Sequence, residues 1–132
     1  MDKIWLKSYP PGVPHHVQPE QYRSVAHLLE ESFSKNASNP FSVCMDRWMT
    51  YGELDRHSAA LGAYLQSLGL EPGARVAIML PNIPQFAVTM SAILRAGYTC
   101  VNVNPLYTAR ELEHQLKDSG ATTIVILENF AH

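Results

Sequence analysis

Short apolar runs alternate with stretches of helical periodicity between residues 75 and 120. The run 76–80 is apolar throughout, which predicts a strand buried on both faces. The next segment predicts a helix that Gly97 ends, because apolar side chains recur at helical spacing at Phe86, Met90, Ile93 and Leu94. Residues 99–103 predict a second strand. Two consecutive strand–helix units of this kind predict a parallel sheet covered by helices.

The helices of this region carry start and stop signals. Asn82 is the predicted N-cap of the first helix, with Pro84 in its first turn, where a missing N–H costs nothing. Thr108 and Glu111 have the spacing of a capping box, in which each residue satisfies a backbone N–H of the other. Gly120 is placed to end this second helix.

The N-terminal half predicts two more helices and a hairpin. Apolar residues at helical spacing begin after Ser24, and the polar run 36–40 ends them. Two short apolar runs, 41–45 and 48–50, predict a β-hairpin whose two-residue turn is Asp46 and Arg47.

A second capping box, Thr50 with Glu53, opens a helix that lasts until Gly69. Residues 121–127 then predict the last buried strand. The predicted fold class is therefore α/β, with part of a parallel-stranded sheet, flanking helices and a short N-terminal hairpin.

Domain organisation follows from the prolines and from the size. Residues 1–22 hold four of the nine prolines and no sustained period, so we predict an irregular Pro-rich arm anchored by Trp5 and Leu6. We predict that residues 23–132 form one incomplete α/β subdomain of a larger enzyme, because the crossover helix expected after the last strand does not follow it. We therefore expect the chain to be a fragment of a longer protein.

Composition excludes several classes of function. A formal net charge of −2 offers nothing to attract a polyanion, which argues against nucleic acid as a partner. Cys44 and Cys100 lie in apolar runs without the spacing of a metal site, so we interpret them as small buried hydrophobes. The uncharged stretch 76–94 is long enough to span a bilayer, but prolines and polar residues interrupt its middle, which indicates a strand-to-helix turn.

Candidate chemistry is sparse. Ligands of open parallel sheets bind beyond the carboxyl ends of the strands, yet the loops after residues 80 and 103 lack the glycines of a phosphate-binding turn. Polar side chains cluster at one such end, at Asn102, Asn104, Tyr107 and Thr108. They could touch a ligand or a second domain, but turn and helix-cap chemistry explains them better. His57 and His114 lie among other polar residues, so we interpret them as solvent-exposed side chains.

The order of the segments resembles a known family. MTYGEL at 49–54 resembles the first signature segment of the adenylate-forming superfamily, which includes acyl-CoA synthetases, luciferases and peptide-synthetase adenylation domains. LRAGY at 94–98, running into VNVNP at 101–105, resembles its second. Within the superfamily, the stretch 102–121 with the arm around Trp5 most closely resembles bacterial long-chain fatty acid–CoA ligases.

The resemblance implies an activity for the complete enzyme, with the fold of the N-terminal subdomain of adenylate-forming enzymes. Such an enzyme activates a fatty acid with ATP and Mg²⁺ to an acyl-adenylate and passes the acyl group to coenzyme A. The family's phosphate loop, its ribose-binding aspartate and its catalytic lysine have no counterpart in this sequence. We therefore assign no catalytic, cofactor-binding or metal-ligating residue, expect the chain alone to bind none of these cofactors, and expect it to be inactive.

Alternatives remain open at this point. Another adenylate-forming acyl- or aryl-CoA ligase fits the same signature segments, and a flavodoxin-like or receiver-type binding module fits the α/β pattern alone. The resemblance also leaves open a homodimer formed through the N-terminal part and a peripheral association with the membrane. No secretory signal is visible at the N-terminus, which favours the cytoplasm, with the inner face of the membrane as the alternative.

Overall fold

A computed structural model describes residues 2–131, so Met1 and His132, the outermost residues of the predicted arm and subdomain, lie outside the described residues. The helices and strands follow one another as α1 Val25–Asn36, β1 Pro40–Cys44, β2 Arg47–Thr50, α2 Tyr51–Ser67, β3 Arg75–Met79, α3 Pro84–Arg95, β4 Thr99–Asn102, α4 Ala109–Ser119 and β5 Thr123–Ile126. Short 3-10 helices lie at Ile4–Ser8, Pro19–Gln21 and Glu128–Phe130.

The central feature is a parallel three-stranded sheet with the order β4-β3-β5. Strand β3 lies in the middle, where Ala77 is aligned with Val101 on one side and with Ile124 on the other. Both faces of β3 are covered, and Val76, Ala77 and Ile78 are fully buried. The predicted α/β class, with a parallel sheet and flanking helices, is confirmed.

The two faces of the sheet pack against different helices. One face carries Val76 and Ile78, which form a core with Leu65 of α2 and Ile93 of α3. The opposite face carries Ala77 and Met79, which pack with residues such as Leu112 and Leu116 of α4. Because side chains alternate along a strand, the single run 76–80 supplies both cores.

The hairpin β1–β2 is antiparallel, as predicted, with Val43 opposite Trp48. Its turn differs from the prediction by one residue. Met45 and Asp46, not Asp46 and Arg47, occupy the turn, with φ angles of 48° and 60°. Positive φ at both central residues is what a tight two-residue hairpin turn requires, even though methionine is a rare occupant.

Both predicted capping boxes are present. In the first, the backbone N–H of Glu53 donates to Thr50 Oγ1 at 3.2 Å, and the backbone N–H of Thr50 donates to Glu53 Oε2 at 2.8 Å. The same reciprocal pair joins Thr108 and Glu111 at the start of α4. Gly120 ends α4 in the left-handed conformation, with φ 66°.

The predicted N-cap of α3 is wrong. The cap is Ile83, which has extended backbone angles and provides no side-chain hydrogen bond, and Pro84 is the first helical residue. Since a proline forces the residue before it into an extended conformation, the cap falls on Ile83 rather than on Asn82.

Arg95 joins the first three helices at the end of α3. Its Nη1 donates to the carbonyl oxygen of Asp55 at 2.9 Å and to Ser58 Oγ at 2.7 Å, both on α2. Its guanidinium lies 5.4 Å from the ring centroid of Phe33 on α1, and Nε is 3.6 Å from Glu30 Oε1. This side chain therefore orients α1 and α3 relative to α2.

The arm, as far as it is described at residues 2–22, contains two of the short 3-10 helices. Trp5 remains 50% exposed and Val17 is 88% exposed, so few of the arm's apolar groups are covered by the rest of the chain. Its boundary at residue 22 stays a prediction. Within residues 2–131 every helix is too short or too polar to cross a bilayer, and residues 76–94 form β3 and α3 as expected.

Candidate functional site

The carboxyl ends of β3 and β4 are the places to look for a site, because ligands of open parallel sheets bind there. The polar cluster predicted after β4 is present but mostly occupied by local structure. Asn104 Oδ1 accepts the backbone N–H of Leu106 at 3.0 Å, which closes a turn. Thr108 caps α4 through its contacts with Glu111. Two of the four predicted side chains therefore have the structural role that the sequence favoured.

Asn102 is held at the outer edge of the sheet. Its carbonyl oxygen accepts a hydrogen bond from Gln115 Nε2 at 2.8 Å, so that α4 covers one backbone group of the edge strand. Its side-chain Oδ1 is 3.5 Å from the Cys100 sulfur. Burial raises the pKa of the Cys100 thiol, so the sulfur remains a thiol near neutral pH.

Tyr107 belongs to an open groove on the outer side of α4. The groove has a volume of about 630 Å³ and is lined by Tyr107, Arg110, Glu111, His114, Gln115 and Asp118. Glu111 is already engaged, because the backbone N–H and the hydroxyl of Thr108 donate to its carboxylate and lower its pKa. Cationic and anionic groups are therefore mixed along this helix face, which is the pattern of a solvated surface.

The end of β3 is apolar rather than polar. Leu80, Ile83 and Leu127 line a cavity of about 300 Å³ there, together with residues of α2 and α3. His57, which the sequence placed on a solvated face, is exposed and lines a neighbouring cavity. The structure does not bring His57 and His114 into a common site, because they line different cavities.

The residues present do not fit a nucleotide with its metal ion. In the part of the chain that the structure describes, no three His, Cys, Asp or Glu side chains come together as ligands. The loop after β3 presents Pro81 and Pro84 instead of the backbone N–H groups that a phosphate needs. We therefore assign no step of an adenylation reaction to residues 2–131.

The structural role of Arg95 was not predicted from the sequence. This residue lay within the family-like segment 94–98, but its contacts with Asp55 and Phe33 depend on how α1, α2 and α3 pack. An arginine at the end of an apolar helix was the available signal, since a buried guanidinium needs several acceptors. Its role is to position helices rather than to react.

Comparison with known proteins places the chain in a family. The profile of the AMP-binding enzyme family matches residues 29–132. The long-chain-fatty-acid–CoA ligase of Escherichia coli O6:H1 is 52% identical over 100% of this chain, which covers 24% of that protein. The ligase of the same name from Bacillus subtilis is 35% identical over 96% of this chain and 22% of its own length. The chain thus spans about a quarter of these relatives.

A solved structure supports the same placement. The N-terminal subdomain of Klebsiella oxytoca NpsA, determined with anthranilyl-AMSN, matches with a TM-score of 0.77 and 27% identity, over 85% of this chain and 29% of that one. Over that part of their length the two chains share one fold. This chain belongs to the AMP-binding enzyme family.

Proposed function

We propose that these residues form the N-terminal scaffold of a long-chain fatty acid–CoA ligase. The complete enzyme would activate a fatty acid with ATP and Mg²⁺ to an acyl-adenylate and then transfer the acyl group to coenzyme A. The single observation that carries this proposal is the 52% identity to the Escherichia coli ligase along the whole chain. Fatty acid, ATP and coenzyme A are accordingly the proposed substrates.

The role proposed for these residues is to support the catalytic site structurally. The described residues offer a rigid sheet with both faces of β3 covered, and Arg95 fixes the helices on one of them. Catalysis by electrostatic preorganisation needs donors held in place by such a support. The donors themselves are proposed to come from the rest of the enzyme.

The substrate class is tested on the complete protein that carries these residues. ATP–pyrophosphate exchange is measured with palmitate and, in parallel, with benzoate. We expect exchange that depends on palmitate. Exchange with benzoate alone would favour an aryl-CoA ligase, and exchange with neither acid would overturn the proposal.

The scaffold role is tested by transplantation. In the Escherichia coli ligase, the aligned segment is replaced by this chain, and palmitoyl-CoA formation is assayed. We expect the chimera to be active. A chimera that is folded, as judged by its unfolding transition, but inactive would show that this segment does more than support the site.

We also propose that the enzyme is a homodimer formed through residues 1–22. As a second proposal, the enzyme is cytoplasmic and associates peripherally with the membrane that supplies its substrate. The exposed apolar side chains of the arm support the first proposal, with Ile4 at 72% and Val17 at 88% exposure. Light scattering on the complete protein with and without residues 1–22 tests the dimer, and an unchanged mass would refute it. Flotation with lipid vesicles tests the membrane association, and protein left at the bottom of the gradient would refute that.

A further inference from the structure

Two cavities adjoin on the surface formed by α2 and α3. The first, of about 300 Å³, extends from α2 across α3 to β5 and is lined mainly by apolar side chains, among them Leu61, Leu80, Ile83, Val88, Val125 and Leu127. The second, of about 320 Å³, is lined by Met49 of β2, His57 of α2, and Gln85 and Val88 of α3. Gln85 and Val88 line both cavities, so the two are adjacent, and we call them together the α3 trough.

The lining of the α3 trough is unusually apolar for a surface. Leu61, Val88 and Leu127 are only partly buried, although residues of these types normally complete a core. The same holds for β5, where each of the residues Thr123–Ile126 is partly exposed, while its neighbour β3 is buried at four of its five positions. Among residues 2–131, β5 pairs with β3 alone, so its outer edge is open.

We infer that the α3 trough is an internal interface that receives an apolar segment from the rest of the ligase. This inference rests on the proposed function, because the occupant is the polypeptide that the relatives possess beyond their first quarter. The trough touches β2, α2, α3 and β5, so a segment seated in it joins the hairpin to the open side of the sheet.

The charges of the trough select this occupant over others. Among the described residues, Glu128 is the one carboxylate in the lining of the trough, and that lining contains no lysine or arginine. An anionic lipid surface needs a basic cluster, which the trough does not provide. An apolar protein segment needs only burial, which stabilises at roughly 25 cal/mol per Å² of apolar surface.

The test compares two valine substitutions in the complete ligase. Val88→Cys places a thiol in the trough, and Val43→Cys places one on the hairpin, where the valine is 51% exposed. Each variant is treated with a water-soluble maleimide, and labelling of the introduced cysteine is followed by tandem mass spectrometry, which separates position 43 from native Cys44. We expect labelling at position 88 to be slower by at least about tenfold, and to equal that at position 43 after unfolding in urea.

Each other outcome has a distinct meaning. Equal labelling rates in the folded ligase would overturn the interface. Protection at position 88 that disappears on dilution would assign the trough to a second copy of the chain and would also overturn it. Palmitate-dependent exchange is measured in parallel on the unaltered, unlabelled ligase, so that absence of exchange there with protection at position 88 intact would refute the substrate class and leave the interface supported.

A second pair of substitutions tests the interface independently of thiol labelling. Val88→Arg places a charge in the trough, and Tyr64→Arg places one on the outer face of α2, where Tyr64 is 59% exposed. We expect only Val88→Arg to lower the midpoint of urea unfolding of the complete ligase. Equal midpoints for the two variants would contradict the interface.

Discussion

Arg95 and Asp55 are joined twice: Nη1 of Arg95 lies 2.9 Å from the backbone carbonyl oxygen of Asp55 and 2.9 Å from its Oδ1. The arginine side chain is only 17% exposed, and it also contacts Ser58 on α2 and both Phe33 and Glu30 on α1. A guanidinium has five N–H donors in a fixed plane and can stack on an aromatic ring, a geometry that the three donors of a lysine ammonium do not provide. The pairing therefore fixes the angle between α2 and α3.

Replacing this guanidinium is expected to weaken the fold. Arg95→Ala removes its hydrogen bonds to Asp55 and Ser58 and its packing on Phe33, so we expect a loss of about 2–3 kcal/mol in the free energy of unfolding. Arg95→Lys keeps the charge but loses the planar fork, so its free energy of unfolding should lie between those of the unaltered chain and of Arg95→Ala. Urea unfolding followed by circular dichroism measures both. Arg56→Ala, at an exposed position of α2, is the control, and an equal loss there would contradict the assignment.

Much of the fold could be predicted because it depends on residues that are close together in the sequence. The run 76–80 is apolar throughout, a pattern typical of a strand covered on both faces, and short enough to favour a strand over a helix. The capping boxes at Thr50 and Thr108 depend on residues three positions apart, so the sequence contains all of their geometry. The turn at Met45 could not be predicted, because the pairing of Val43 with Trp48 fixes it against the local preference of methionine.

Two residues of the candidate site could also be predicted, because their roles depend on contacts that are local in the sequence. Asn104 and Thr108 act on backbone groups two and three residues away, and the sequence favoured this structural role. The α3 trough was not predicted, because its lining comes from β2, α2, α3 and β5, which are distant in sequence and adjoin only in the folded chain. Contacts of that range leave no local signal.

Gly52 is required by a close approach of two backbones. A Cβ at this position would lie 2.9 Å from the carbonyl oxygen of Ala37, which also accepts the N–H of Gly52 at 2.9 Å. Alanine usually stabilises a helix relative to glycine, but here the clash with a backbone atom should dominate. We expect Gly52→Ala to destabilise the chain by about 1–3 kcal/mol in thermal or urea unfolding. A gain in stability would contradict this expectation and show that the 36–39 turn shifts at little cost to accommodate the Cβ.

The capping boxes should make stability depend on pH in acid. The backbone N–H of Thr50 donates to the Glu53 carboxylate, and so does the Thr50 hydroxyl. Both hydrogen bonds lower the pKa of Glu53, the backbone one more strongly. The folded-state pKa is thus below the value of about 4.3 for a free glutamate. The resulting stabilisation is fully present above that value and is lost as the pH falls through the folded-state pKa. Glu111 contributes in the same direction.

Glu53→Gln isolates this contribution. Compared with the unaltered chain, the variant should be less stable at pH 7, and the difference should shrink as the pH falls below about 4.3. Urea midpoints across the range from pH 7 to pH 3 measure it. Glu20→Gln removes a charge in the arm, away from both capping boxes, and controls for net charge. A difference that stays constant with pH would mean that Glu53 acts through packing and not through its ionised form.

The hairpin turn offers a stabilising substitution. Met45 has a φ of 48° and is 93% exposed, so its side chain contributes little packing to offset the backbone strain. Asparagine tolerates this left-handed conformation, and Met45→Asn should therefore raise the free energy of unfolding by about 1 kcal/mol. Val43→Asn, also exposed but in the extended strand next to it, should instead lower stability, since asparagine disfavours strands. The two substitutions introduce the same side chain two residues apart, so opposite shifts of the urea midpoint would trace the effect to backbone conformation, and shifts of the same sign would contradict it.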